Sequence, residues 1–118
     1  MEPVEINAGT WYLRALRADD RVTDVPALSD LGVDDPDEYV AGASRSWENE
    51  SRYVWAVCEP TTGELVALIG VRRDPARLSG RARSGRADAL EAARSPVRRF
   101  ADGALGLTIS DELVDNIP

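Results

Sequence analysis

Tyr53-Val54-Trp55-Ala56-Val57-Cys58-Glu59-Pro60-Thr61-Thr62-Gly63-Glu64-Leu65-Val66-Ala67-Leu68-Ile69-Gly70-Val71-Arg72 is the stretch on which the fold turns. It reads as two β runs, Tyr53 to Cys58 and Glu64 to Val71, joined by a turn. Both runs are rich in β-branched, aromatic and aliphatic residues, the types that suit a pleated, half-buried surface. Pro60 presets φ early in the connection, and Gly63 can adopt φ > 0 at its end. Neither run alternates apolar with polar. The hairpin is therefore expected inside a sheet covered on both faces.

Composition narrows the chemistry. The 118 residues include no His and no Lys; all 14 basic residues are Arg. Absence of His removes Ser-His-Asp and Cys-His nucleophilic mechanisms and most zinc chemistry. Absence of Lys removes a Walker-type phosphate loop, a Schiff-base lysine and Ser-Lys catalysis. The single Cys58 cannot form an internal disulfide, and within a predicted strand it reads as a small buried apolar residue. No apolar run approaches the roughly 18 residues that span a bilayer, and the N-terminus lacks a basic-then-apolar leader pattern. The expectation is a single cytoplasmic domain over residues 1–118, long enough to bury about two-thirds of its unfolded surface.

Charge is unevenly distributed. Residues 1–59 carry 13 acidic residues against 5 Arg, a balance of −8, and residues 60–118 carry 8 against 9, a balance of +1. Residues 72–99 hold 9 Arg against Asp74, Asp88 and Glu91. An acidic half thus precedes a segment suited to an anionic ligand, while the overall charge of −7 speaks against nucleic acid.

Outward from the hairpin, Thr10 to Leu16 is a strand candidate. Asp19 or Asp20 can cap a short helix reaching Leu31, with Val22, Val25, Leu28 and Leu31 at three-residue spacing and Pro26 in its interior. Asp35 caps a second helix, with Pro36 in its first turn and an end near Asn49. Beyond the hairpin, Arg72 to Arg86 reads as a loop of Arg, Gly, Ser and Pro. Ala87 to Ala101 follows as a helix, with Ala87, Leu90, Ala93, Val97, Phe100 and Ala101 near one face, a kink at Pro96, and Gly103 and Gly106 at its end. Leu107 to Ser110 is a weak last strand. Residues 10–72 thus form a strand-helices-hairpin part and residues 73–118 a part made of loop, helix and weak strand.

Arg83, Gly85, Arg86 and Ala87 stand where the Arg-rich loop enters the last helix. A helix N-terminus presents free N–H donors, glycine admits close backbone approach, and arginine offers bidentate donors to phosphate. The candidate ligand is a phosphate or pyrophosphate; an ordinary loop with solvated arginines is the simpler account of the tripeptide Gly-Arg-Ala by itself. The sequence identifies no general base: Glu59 and Glu64 read as surface groups flanking the turn.

The element order, with Leu13-Arg14-Ala15-Leu16-Arg17-Ala18-Asp19-Asp20 at the opening strand, the hairpin, and Gly85-Arg86-Ala87-Asp88-Ala89-Leu90 at the last helix, resembles the Gcn5-related N-acetyltransferase superfamily. The likeness is to the branch that acetylates protein N-termini and small amines, and it runs from about Thr10 to Leu107. The resemblance implies an α/β (α+β) fold with a mixed, mostly antiparallel sheet flanked by helices. It implies acetyl-CoA as co-substrate, bound through Arg83, Gly85, Arg86 and Ala87, an amine acceptor (a small molecule or a protein N-terminus), and a homodimer as the conceivable assembly. In that family the strand before the loop carries a bulge that grips the pantetheine arm and often supplies the base. No such strand is visible in this sequence, and a second match to the loop pattern at Arg77, Gly80 and Ala82 lacks a helix directly after it. The chain therefore reads as a truncated or internally altered acetyltransferase. The alternatives are a non-catalytic remnant or binding module, and a phosphate- or nucleotide-binding regulatory domain.

Overall fold

Six strands form one sheet whose spatial order is the order of the chain. The computed structural model describes every residue from Met1 to Pro118. The strands are β1 (Ile6–Ala8), β2 (Trp11–Arg14), β3 (Arg52–Cys58), β4 (Leu65–Arg73), β5 (Ala76–Ala82) and β6 (Leu113–Asp115). Between them lie α1 (Val25–Asp30) and α2 (Pro36–Asn49), after β2, and α3 (Ala87–Leu105), after β5. All neighbouring strands are antiparallel except β5 and β6, which α3 joins in a parallel β-α-β crossover.

The hairpin is the centre of this sheet, and both of its strands are buried almost throughout. Val54, Ala56, Cys58 and Leu68 pack beneath Ala27, Leu28 and Leu31 of the α1 segment and Ala43 of α2. Trp55, Val57, Ala67, Ile69 and Val71 pack beneath Ala89, Ala93, Val97 and Ala101 of α3. Helices cover both faces, which is why the two runs are continuously apolar.

Local chemistry sets the helix boundaries. Asp35 accepts a hydrogen bond from the Glu38 N–H and caps α2, with Pro36 first in the helix and Asn49 last, as the sequence predicts. The start of α1 differs. Asp19 accepts from the N–H groups of Arg21 and Val22, closing a tight turn between bridged Ala18 and Thr23. The helix begins only after Asp24, so Pro26 sits in its first turn and not in its interior. At the far end α3 stays helical through Pro96 and Gly103 as far as Leu105. Gly106 ends it in the left-handed conformation, and the Leu107 N–H returns to the Ala101 carbonyl.

Two expectations fail in the second part of the chain. Residues 76–82, read as loop, are β5, and they pair with β4 without a shift in register from Arg73↔Ala76 to Ala67↔Ala82. The strand missing from the sequence reading is therefore present. Conversely, Leu107 to Ser110 forms no strand; the last strand is β6, a few residues further on. The cause in β5 is packing. A Cβ on Gly80 would lie 2.6 Å from the Leu68 carbonyl oxygen and 2.8 Å from Leu90 Cδ1, so residue 80 must be small for α3 to seat. Leu78 alone supplies a large buried side chain, which leaves no apolar pattern to detect.

Aromatic residues finish one end of the core. β2 pairs only with Ala56 to Cys58, which leaves the edge of β3 at Val54 without a strand beside it. Trp47 of α2 closes that gap, its indole N–H donating to the Val54 carbonyl at 3.2 Å. Its ring meets Tyr53 and Trp55 edge to face, with centroids 5.1 Å apart in each case. Each such contact contributes about 0.5–1.5 kcal/mol beyond simple burial.

Candidate functional site

Antiparallel pairing carries the β3–β4 turn and the end of β5 to the same end of the sheet. The Arg83 N–H still donates to the Val66 carbonyl, at 2.9 Å, after which the chain turns into α3. The turn is closed by the Arg86 N–H on the Arg83 carbonyl, and Gly85 holds φ at +78°. A Cβ at Gly85 would meet nothing within 4 Å, so its conformation, not crowding, calls for glycine there. No side chain caps α3 at Arg86. The first turn of α3 therefore faces the loop with free N–H donors and the positive end of its dipole. Arg83, Gly85, Arg86 and Ala87 lie where the chain leaves β5 and enters α3. The rival pattern of Arg77, Gly80 and Ala82 lies within β5 and forms no loop.

The surroundings of the two arginines were not foreseen. Arg83 spans two carboxylates, with Nη2 on Asp30 at 2.6 Å and Nη1 on Glu64. Arg86 donates to Glu59 at 2.7 Å and lies over the Trp11 ring at 5.3 Å. The hydrogen bond from Arg86 holds the Glu59 carboxyl below its ordinary range, and the one to Glu64 reinforces the charge on Arg83. Asp30, Glu59, Glu64, Arg83 and Arg86 line a cleft of about 470 Å³. Glu59 and Glu64, expected as solvated turn flanks, are thus counter-ions of the loop. They stand 27 and 19 residues from their partners, a separation at which sequence spacing carries no signal. Recognising β5 as a strand would have revealed them, because a meander must bring that turn and that loop together.

Beside this cleft, Arg14 and Asp24 form a bidentate pair with both distances 2.9 Å and both residues buried. Burial works most strongly against the charge on Arg14, but the hydrogen bond to Asp24 and the neighbouring charges and hydrogen bond of Cys58, Asp24 and Tyr12 together outweigh it, and the guanidinium's pKa is raised. Arg14 also donates to the Gly63 carbonyl, and Asp24 accepts from the Arg17 N–H. The pair ties β2, the start of α1 and the β3–β4 turn into one rigid corner of the site.

β6 leaves β5 early. Its pairing ends at Gly80↔Asp115, with the Asn116 N–H on the Gly80 carbonyl at 3.2 Å. The chain then crosses back to lay Pro118 against Gly70. Arg81 and Ala82 are left with an open edge leading directly to the loop and the α3 N-terminus. β5 itself carries no bulge, unlike the strand that the resemblance implies. Cys58 is not a nucleophile: burial pushes its thiol up to about 12. No group of His, Cys, Asp and Glu residues is placed to hold a metal ion, and no helix is long and apolar enough to cross a membrane.

No family model and no curated protein matches this chain. Solved structures do. A Vibrio cholerae protein described as a ribosomal-protein-serine acetyltransferase superposes with a TM-score of 0.76 at 17% identity, over 92% of this chain and 74% of that one. An Agrobacterium tumefaciens acetyltransferase superposes with a TM-score of 0.60 at 21% identity, over 91% of this chain and 70% of that one. The chain has the fold of the Gcn5-related N-acetyltransferases. The strand that the sequence reading lacked before the loop is β5.

Proposed function

We propose that this protein transfers an acetyl group from acetyl-CoA to an amine. The observation that carries the reading is the uncapped N-terminus of α3, entered through Gly85 and flanked by Arg83 and Arg86 at the open end of β5. Backbone donors, a helix dipole and two guanidinium groups converging on one loop suit a pyrophosphate. The free edge of Arg81 and Ala82 suits the amides of a pantetheine arm extended beside it. When bound, acetyl-CoA supplies an activated thioester carbonyl. The amine nitrogen bonds to that carbon, the carbon–sulfur bond breaks, and the sulfur leaves with its electron pair and takes up a proton as the amine loses one. The chain's contribution is positioning along β5 and charge neutralisation at the loop. Direct transfer to the amine agrees with the inert Cys58.

The carboxylates give this site a particular character. Ligand phosphates must take Arg83 and Arg86 over from Asp30, Glu64 and Glu59. Full occupation of the arginines by protein carboxylates is also what a binding module that has lost the co-substrate would display, and this favours that reading as the alternative. Thermal-shift titration with CoA and acetyl-CoA separates the two. Wild type should be stabilised in a saturable way, since a ligand raises stability only through its affinity for the native state. Arg86→Gln should weaken CoA about tenfold, the loss of one charge-assisted hydrogen bond. Glu59→Gln, which frees Arg86, should tighten it. Acetyl transfer to a panel of amines can be read by thiol release with a disulfide reagent, because buried Cys58 gives no background. No stabilisation by millimolar CoA would sink acetyl transfer and leave the binding module. Equal stabilisation by unrelated nucleotides would point to a general phosphate site.

A further inference from the structure

One tryptophan stands apart from the other two. Trp47 and Trp55 are buried, whereas Trp11, the first residue of β2, is only half-buried. Its side chain packs at the margin of the core under α3. What lies over its ring is a charged group, the Arg86 guanidinium, 5.3 Å from the centroid. The β1–β2 turn beside it is open: Gly9 and Thr10 are exposed, and a Cβ on Gly9 would meet nothing within 4 Å.

Arg86 rests there without being locked in. It donates to Glu59 at 2.7 Å, and 34% of its side chain remains exposed. Arg86 is also the cap residue of α3, so the same guanidinium can reach an anion held at the free N–H groups of the first turn. A phosphate draws a guanidinium more strongly than an aromatic face does, because it offers full charge and paired acceptors. Once Arg86 turns to a phosphate, the indole is left with a bare face, one arginine side chain away from that phosphate. A flat apolar surface at that reach suits a flat heteroaromatic ring carried on the same ligand, since stacking removes both faces from water.

We infer that Trp11 is the stacking platform for the adenine end of the co-substrate, with Arg86 as its placeholder in the free protein. The inference rests on the acetyl-CoA reading above and adds a specificity residue that touches neither the thioester nor the pyrophosphate. Without ligand, Arg86 shields the ring; with ligand, the base does. Trp11 thereby makes the loop prefer a diphosphate that carries a base over a bare one.

The test compares inorganic pyrophosphate, ADP and CoA on the full chain, by thermal shift and tryptophan fluorescence at constant ionic strength. ADP and pyrophosphate present the same linked phosphates with and without the base. Wild type should bind ADP about tenfold more tightly than pyrophosphate, in the lower part of the range for stacking one base on an aromatic side chain. Trp11→Leu should remove that preference, weakening ADP about tenfold with pyrophosphate unchanged, and Trp11→Phe should restore most of it. Saturating ADP should quench the fluorescence of Trp11, the tryptophan that solvent reaches, and Trp11→Phe should abolish the quench. The wild-type comparison and the Phe variant decide the matter even where Trp11→Leu fails to fold. The inference is overturned if ADP binds no tighter than pyrophosphate, if the Trp11 variants weaken both ligands alike, or if fluorescence stays constant at saturation. A saturable response to pyrophosphate in any of these cases leaves the loop reading standing; no response to any of the three ligands overturns both.

Discussion

Replacing Gly80 with Ala should destabilise the protein, and replacing Gly103 with Ala should stabilise it. The two substitutions add the same methyl group, so the structure alone sets the opposite signs. At Gly80 the new Cβ would stand 2.6 Å from the Leu68 carbonyl oxygen and 2.8 Å from Leu90 Cδ1. Leu90 can rotate, but Leu68 belongs to β4 and its carbonyl cannot retreat without disturbing the sheet. Overpacking of this kind costs about 3 kcal/mol, and the lower entropy of the unfolded alanine chain returns about 1, a net loss of about 2 kcal/mol. At Gly103, inside α3, nothing lies within 4 Å, and alanine gains about 0.5–1 kcal/mol from helix propensity. At roughly 4 °C per kcal/mol for this chain length, Gly80→Ala should lower Tm by about 8 °C and Gly103→Ala should raise it by about 2–4 °C. Urea unfolding followed by tryptophan fluorescence should move the midpoints in the same senses at constant slope. A Gly80→Ala protein as stable as wild type would refute the close seating of α3 on β5, and with it the placement of the loop at the head of α3.

Asp24→Asn should cost about 3–5 kcal/mol, because it leaves the buried Arg14 guanidinium without its counter-ion, whereas the double change Arg14→Met with Asp24→Leu should cost much less; a double-mutant cycle in urea reads the difference, and additive costs would show the pair to be uncoupled. Asp19 accepts from the Val22 and Arg21 N–H groups and from Arg17, which lowers its pKa from 3.8 to about 2. A depressed native pKa contributes stability that is present above about pH 4 and lost as pH falls toward 2. Asp19→Asn should therefore flatten part of that acid limb in a Tm-against-pH series, and an unchanged limb would show that the turn does not hold the charged form.

The hairpin, the cap of α2 and the residues of the α3 loop were legible because each rests on local chemistry. Pro60 with Gly63, Asp35 with Pro36, and Gly85 ahead of an alanine-rich run carry their meaning within a few residues. β5 was not legible, since Arg77-Leu78-Ser79-Gly80-Arg81 is written by its neighbours. Gly80 answers to α3 and Ser79 lies opposite Gly70, and neither demand leaves an apolar alternation. The start of α1 was misplaced for a related reason. Asp19, Asp20 and Asp24 are all competent caps, and the buried pairing of Asp24 with Arg14, ten residues away, decides among them. The site was half legible: its arginines announced themselves, but Asp30, Glu59 and Glu64 meet them only once the sheet has formed.

The order of the sheet also has a kinetic consequence. β3, β4 and β5 are joined by residues 59–64 and by Asp74-Pro75, so their pairing closes short loops at small entropic cost. β6 can pair with β5 only after the chain has passed through α3, and it contributes three residues. The meander is thus the natural nucleus, and β6 is the last strand to be ordered. Substitutions at Val54 or Leu68 should slow folding, and substitutions at Leu113 should mainly speed unfolding. Stopped-flow φ-values of the reverse order would contradict this. β6, three residues long and added only after α3, is on this view the part of the native sheet that opens at the lowest cost.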